Sequence, residues 1–301
     1  MSVALPMRIN CQNLIRSALV LLCLAAAGRA AGSEGKPLEI LCSFYPMYVM
    51  ALNVAGDIPG VSVECMTQPM AGCLHDYQLA PADLKALGKA DIFIANGAGM
   101  ETFITKAVEQ SPRLKVIEAS RGMKLAFDDN PHVWVSVGGA IQETKNIAGG
   151  LAAADPAHAA SYEENTSRYV ARLEKLRREM HAVLDGLKDR DIITFHEAFP
   201  YFASEFNLNI VGVVEREPGS GPSAGELART IETARKSRVK ALFVEPQYPA
   251  GSAELIHRET GIPVSILDPA VTGPRAPEQA RNSYIDTMKK NLTALADALK
   301  D

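Results

Sequence analysis

Four residues of this 301-residue chain could together do metal chemistry. His75 lies in Met70-Ala71-Gly72-Cys73-Leu74-His75-Asp76-Tyr77, and His132 lies in Asn130-Pro131-His132-Val133-Trp134. His196 directly follows the apolar run Ile192–Phe195, and Asp268 follows Val264–Leu267 and precedes Pro269. Three imidazoles and a carboxylate brought to one point make a tetrahedral site that suits Zn²⁺. The separations along the chain (75→132→196→268) are 57, 64 and 72 residues, so this is no compact metal motif and only a fold could assemble it. A lone histidine at a strand end is more often a hydrogen-bonded surface residue. Glu197 and Glu245 are candidates for a carboxylate that holds an imidazole from behind. Both also suit the acid-favouring N-terminus of a helix. His158, His181 and His257 fall inside helical patterns and read as solvated side chains. There is no Gly-x-Ser-x-Gly, phosphate loop or His-Glu-x-x-His to suggest an enzyme. Gly219-Ser220-Gly221-Pro222-Ser223 lacks the lysine of a phosphate loop and reads as a flexible connection.

In open parallel sheets a ligand sits beyond the carboxyl ends of the strands, which is where these four residues fall if the flanking runs are strands. Leu38–Phe44, Val61–Met66, Asp91–Ala95 and Lys115–Glu118 read as short buried strands in the first half. Asp191–Phe195, Asn209–Val214, Lys240–Val244 and Pro263–Leu267 read so in the second. Helical patterns at Met47–Val54, Pro81–Lys89 and Met100–Glu109 separate the first set. Ala198–Phe206, Ala224–Ser237, Ala253–Thr260 and Pro277–Leu299 follow the strands of the second. Strands spaced by helices of this length predict parallel sheets. Between the halves, Asp155-Pro156 opens a long helical stretch. Tyr162, Tyr169, Leu173, Leu176, Met180, Val183 and Leu187 mark one face of it. Roughly thirty residues make about 45 Å of helix. A coiled-coil dimer and a rigid spine both fit; the spine is preferred because alternation resumes afterwards. The expected class is α/β: two similar parallel-sheet lobes joined by one long rigid helix, with the metal site in the cleft between lobes. The expected boundaries are a signal peptide over 1–30, an N-terminal lobe over 31–154, the linking helix over 155–188 and a C-terminal lobe over 189–301.

The signal-peptide reading rests on Arg8, Arg16 and Arg29, the absence of acids in the first thirty residues, and an apolar run from Ala18 to Ala27. That run is too short for a bilayer, which takes about 20 residues. Cleavage fits after Ala30 or Ala27. Leu22 before Cys23 argues against lipidation. With 31 basic and 35 acidic residues the net charge is −4, and it falls to −7 once those three arginines leave (−4 − 3). Without a basic patch, nucleic-acid binding is not expected. The mature chain is expected to be soluble, periplasmic and monomeric. Cys42, Cys65 and Cys73 remain in it; a Cys65–Cys73 bridge and three separate thiols are both open.

At these positions the chain resembles the metal-ion solute-binding proteins of ABC transporters, the periplasmic zinc/manganese-binding family. Four segments carry the likeness, in order. Gly72-Cys73-Leu74-His75-Asp76-Tyr77, with Pro81-Ala82-Asp83-Leu84 behind it, resembles the first ligand loop. Asn130-Pro131-His132-Val133-Trp134 resembles the second motif. Phe195-His196-Glu197-Ala198-Phe199-Pro200-Tyr201-Phe202 resembles the third, and Leu267-Asp268-Pro269 the fourth. The resemblance implies metal ligands at His75, His132, His196 and Asp268. It implies capture of a divalent transition metal, zinc or alternatively manganese, and delivery to a membrane permease driven by a separate ATPase. Asn130 departs from the Asp usual before Pro-His. The loop between the first two ligands is short, with Asp128 and Asp129 where many zinc members are His-rich. His196, where manganese members tend to have Glu, leans the expectation to zinc, since Mn²⁺ favours oxygen ligands. Four protein ligands would close the zinc shell, so capture rather than catalysis is expected. A binding protein for an organic solute and a zinc-dependent hydrolase are the alternatives.

Overall fold

The computed structural model describes Met1 and residues 36–67, 74, 77–214, 222–237, 239–247 and 251–300. The expected signal peptide beyond Met1, together with His75 and Cys73, lies outside the described residues. Pro37–Asp301 forms one unit, distinct from Met1–Lys36.

Apolar runs bounded by turns become two four-stranded sheets, both wholly parallel. The first contains β1 (Leu38–Cys42), β2 (Val61–Cys65), β3 (Ile92–Ala95) and β4 (Lys115–Glu118), in the order β2-β1-β3-β4. The second contains β5 (Asp191–Thr194), β6 (Asn209–Val213), β7 (Leu242–Val244) and β8 (Val264–Ile266), in the order β6-β5-β7-β8. The orders are equivalent, so the expected pair of similar α/β lobes is present. In each sheet the chain reverses direction of travel between the two central strands, the position where a crevice opens at the carboxyl ends.

Helix α1 (Tyr45–Ala55) directly follows β1 and is buried almost all round, as a helix without a polar face must be. Helices α2 (Pro81–Leu87) and α3 (Thr105–Glu109) complete the first set of crossovers. Helix α4 (Val137–Ala154) has no counterpart in the sequence reading. Its pattern is broken by Gly138-Gly139 and Gly149-Gly150, and each interior glycine costs a helix about 1 kcal/mol against alanine. Packing explains two of them. A Cβ at Gly139 would stand 2.1 Å from the Val133 carbonyl oxygen, and one at Gly150 would stand 2.7 Å from the Ile117 side chain on β4. Ser136 caps this helix by accepting from the Gly139 N–H at 3.0 Å.

The linking helix α5 runs from Ala159 to Leu184, after a 3₁₀ turn at Pro156–His158. It is shorter than expected, about 39 Å at 1.5 Å per residue. It buries Tyr162, Tyr169, Leu173, Leu176, Met180 and Leu184. Val183, expected on that face, is exposed, and Leu184 takes its place. The second lobe adds α6 (Pro200–Glu205), α7 (Ala224–Lys236), α8 (Gly251–Thr260) and α9 (Pro277–Leu299).

Helix α9 does not stay with the second sheet. It packs on α1 and α5 as well as on β8. The segment leading into it is fastened to the first lobe: Tyr45 donates to the Pro274 carbonyl at 3.0 Å, and Tyr48 donates to the Arg275 carbonyl at 2.7 Å. Arg275 donates to the carbonyls of Cys65 and Thr67. One apolar core consequently runs from β1 and α1 through the linking helix to Phe243 and Leu267 of the second lobe. Among the described residues no helix is long and apolar enough to cross a membrane.

Gly139→Ala should cost about 1–3 kcal/mol of stability, seen as a lower urea midpoint, because the methyl meets backbone that cannot yield. A parental midpoint would show that the Val133–Val137 turn adapts.

Candidate metal centre

The β5–β7 pairing builds the second-lobe half of the site. Thr194 is in register with Phe243 on β7. Continuing the register by two residues sets His196 opposite Glu245. The His196 Nδ1 lies 3.2 Å from Glu245 Oε1, with the two side chains 3% and 0% exposed. The pair sits at ion-pair distance without the alignment of a linear hydrogen bond. Gln247 donates to the other oxygen, Oε2, at 2.6 Å. A carboxylate facing Nδ1 favours the proton there and leaves Nε2 as the lone-pair donor. Glu197, the other candidate for this role, has an exposed side chain; the site uses its carbonyl instead.

The first-lobe half hangs on the loop that follows β4. Its turn passes through Phe127, Asp128 and Asp129, all three at positive φ (58°, 57° and 59°). Such left-handed backbone without glycine costs energy and persists only where surroundings hold it. Tyr201, in α6 of the second lobe, does so: its hydroxyl accepts from the Ala126 N–H and donates to the Asn130 carbonyl at 2.9 Å. The Phe127 ring stands edge-on to the Tyr201 ring at 5.1 Å. From the first sheet, Asn96 donates to the Pro131 carbonyl at 3.1 Å. Asn96 itself is seated by Glu101, whose Oε1 accepts from the Asn96 N–H at 2.7 Å and from Ser43 Oγ at 2.8 Å. Burial pushes the Glu101 carboxyl up, and those hydrogen bonds pull it partly back.

His132 and His196 thereby meet, both almost fully buried, with ring centroids 4.9 Å apart and planes nearly perpendicular. Trp134 lies behind His132, its ring 5.2 Å away. A buried indole needs an acceptor. Trp134 Nε1 finds one in the Pro269 carbonyl at 2.9 Å, which ties the His132 loop to the residue after Asp268.

Asp268 is positioned through its backbone. Asn291 of α9 accepts from the Asp268 N–H at 2.9 Å and donates to the Asp268 carbonyl at 2.7 Å. The Asp268 Oδ1 accepts from the Ala270 N–H at 2.8 Å. Burial chiefly, with Glu245 repulsion added, raises the Asp268 carboxyl above its ordinary range; the Ala270 N–H and Lys290 oppose this. A cation at the site would favour the ionised form. Nothing in the sequence marks Asn291 or the choice of Glu245 over Glu197, because both depend on which elements are neighbours.

Among the described residues no three His, Cys, Asp or Glu side chains form a group that could hold a metal ion. The structure brings His132 and His196 together, sets Glu245 behind His196, and links Asp268 through Trp134 and Pro269. His75 lies outside the described residues. His158 and His181 bond to Asp155 and Asp185 on the linking-helix region, and His257 contacts the Ile262 carbonyl; all three are away from the site.

The family described as "Zinc-uptake complex component A periplasmic" matches residues 40–298. The high-affinity zinc uptake system protein ZnuA of Bacillus subtilis is 30% identical over 92% of this chain and 94% of its own length. Among solved structures, the solute-binding protein FpvC of Pseudomonas aeruginosa in complex with Ni²⁺ superposes with a TM-score of 0.79 at 30% identity, over 88% of this chain and 97% of that one. Zn(II)-bound AdcA of Streptococcus pneumoniae gives a TM-score of 0.77 at 28% identity over 88% of this chain; the match spans 58% of AdcA.

The raised Asp268 carboxyl yields a stability prediction for the zinc-free chain. The unfolded state ionises more readily there, so stability is lost as pH rises through the carboxylate range. Asp268→Asn should raise Tm by about 1–3 °C at pH 7 and change it little at pH 3, where both states are protonated. A gain of the same size at both pH values would contradict the electrostatic cause.

Proposed function

This chain belongs to the family of the periplasmic zinc-uptake component, and from that premise we propose that it captures zinc outside the cytoplasm and hands it to an ABC-type permease. The observation that carries the reading is the buried His132–His196 pair at the cleft, its rings 4.9 Å apart. Two imidazoles brought together in one buried place suit a borderline-soft divalent ion. Asp268 and His75 are the further ligands in this reading. Together the four would complete a tetrahedral shell and leave no position for a reactive water, which favours capture over catalysis. The family relation supports a metal-transport role, and the donor set supports zinc over manganese. The arrangement of two lobes (31–154 and 189–301) about the linking helix (155–188) supports a rigid receptor, because α9 packs on α1 and the segment before it is hydrogen-bonded to α1. Metal entry then needs only rearrangement of ligand loops or a small tilt. Export by cleavage of the 1–30 segment and action as a monomer complete the proposal.

The test is metal stoichiometry and competition. The purified chain, stripped with chelator, should bind one zinc per chain and prefer Zn²⁺ to Mn²⁺ offered together. His196→Ala should weaken zinc binding by about 100-fold or more, beyond the 10–100-fold typical of residues behind the ligands. The far-ultraviolet circular dichroism should stay parental. Preference for manganese would overturn the selectivity, and parental affinity in the variant would overturn the ligand assignment. Absence of any tightly held metal would move an organic solute to the front.

A further inference from the structure

We infer that Asn130 is a positioning residue for metal capture, its one amide group both setting the tautomer of His132 and fastening the His132 loop to the His196 loop. The inference rests on the zinc-capture reading for its purpose and on three hydrogen-bond contacts for its geometry. Asn130 Oδ1 accepts from the backbone N–H of His132 at 3.0 Å. That donor is unambiguous, so it fixes which end of the amide is oxygen. The same Oδ1 lies 3.0 Å from His132 Nδ1. An amide oxygen can only accept, so the proton sits on Nδ1, and Nε2 carries the lone pair. The other end of the amide, Nδ2, donates at 2.8 Å to the carbonyl of Glu197, the residue next to His196. One planar group thereby orients an imidazole of the first lobe and grips the backbone beside an imidazole of the second.

The bond to the Glu197 carbonyl requires an amide. Aspartate has the same shape and would still accept from the His132 backbone N–H and Nδ1. Its second oxygen would face the Glu197 carbonyl oxygen with no proton between them, so the cross-lobe bond would be lost and replaced by repulsion. Asn130 is nearly buried, at 9% exposure, so water offers a poor substitute partner. Tyr201 donates to the Asn130 backbone carbonyl, so the chain carrying the amide is held from the second lobe as well.

Two variants separate the two tasks. In zinc-free protein at pH 8, imidazole ¹⁵N spectra should show the Nδ1–H tautomer of His132 in the parent and in Asn130→Asp, and the Nε2–H tautomer in Asn130→Ala. Amide exchange across residues 126–131 and 196–201 should rise about tenfold or more in both variants, because both lose the bond to Glu197. Zinc affinity in Asn130→Ala should fall about 10–100-fold, as for other groups behind a ligand. An Nε2–H tautomer in the parent, or parental exchange in Asn130→Asp, would overturn the inference. So would parental zinc affinity in Asn130→Ala. A parent chain that binds no zinc would defeat the proposed function alone, while the tautomer and exchange measurements, which need no metal, would still judge Asn130.

Discussion

A buried imidazole that is to give a lone pair to a metal must have its other nitrogen protonated and its N–H received. Much of this site follows from setting an acceptor beside Nδ1 of two histidines at one seam between two sheets. For His132 the receiver is the side-chain oxygen of Asn130, and for His196 Glu245 faces Nδ1 at 3.2 Å as an ion-pair partner. The two acceptors differ in charge. Glu245 is a carboxylate in a dry position, braced by Gln247, and it repels Asp268. Asn130 is neutral and adds no charge. Two carboxylates behind two histidines, with Asp268 close by, would have concentrated negative charge in a buried place before any cation arrived.

Keeping two rings at a fixed separation also requires the lobes to stay put. The linking helix sets the distance but cannot prevent rotation about its ends. The restraint comes from segments that cross. Helix α9 leaves the second sheet and lies on α1 and α5, Trp134 reaches the Pro269 carbonyl, and Asn130 and Tyr201 join the loops at the cleft. These bonds surround a continuous apolar core and not a hinge. Closure around a ligand by wide domain swing does not suit such a molecule; loop movement does.

The strained turn at Phe127–Asp129 fits the same picture. Three consecutive residues hold left-handed backbone beside the His132 motif, where each would relax if released. Tyr201 of the opposite lobe supplies the hold. The exposed Phe127 ring packs edge-on against that tyrosine, so the turn is stabilised from outside its own lobe.

Much of this architecture is local and was legible in the chain. The strands are short apolar runs, the linking helix is a periodic stripe, and His196 and Asp268 stand just past strand ends, because burial and periodicity act between near neighbours in sequence. Helix α4 was hidden, since its paired glycines argue against a helix locally and are explained only by Val133 and Ile117 packed against them. Val183 and Leu184 exchanged places for a similar reason: the face that a helix buries is chosen by what lies against it. The partners of the candidate ligands were decided wholly by tertiary structure. Glu245 reaches His196 because β5 pairs with β7, and Asn291 reaches Asp268 because α9 returns across the molecule. A sequence determines which side chains could bind a metal through their chemistry; which groups orient them depends on strand order and helix crossing, and those are settled by the packing of the whole chain.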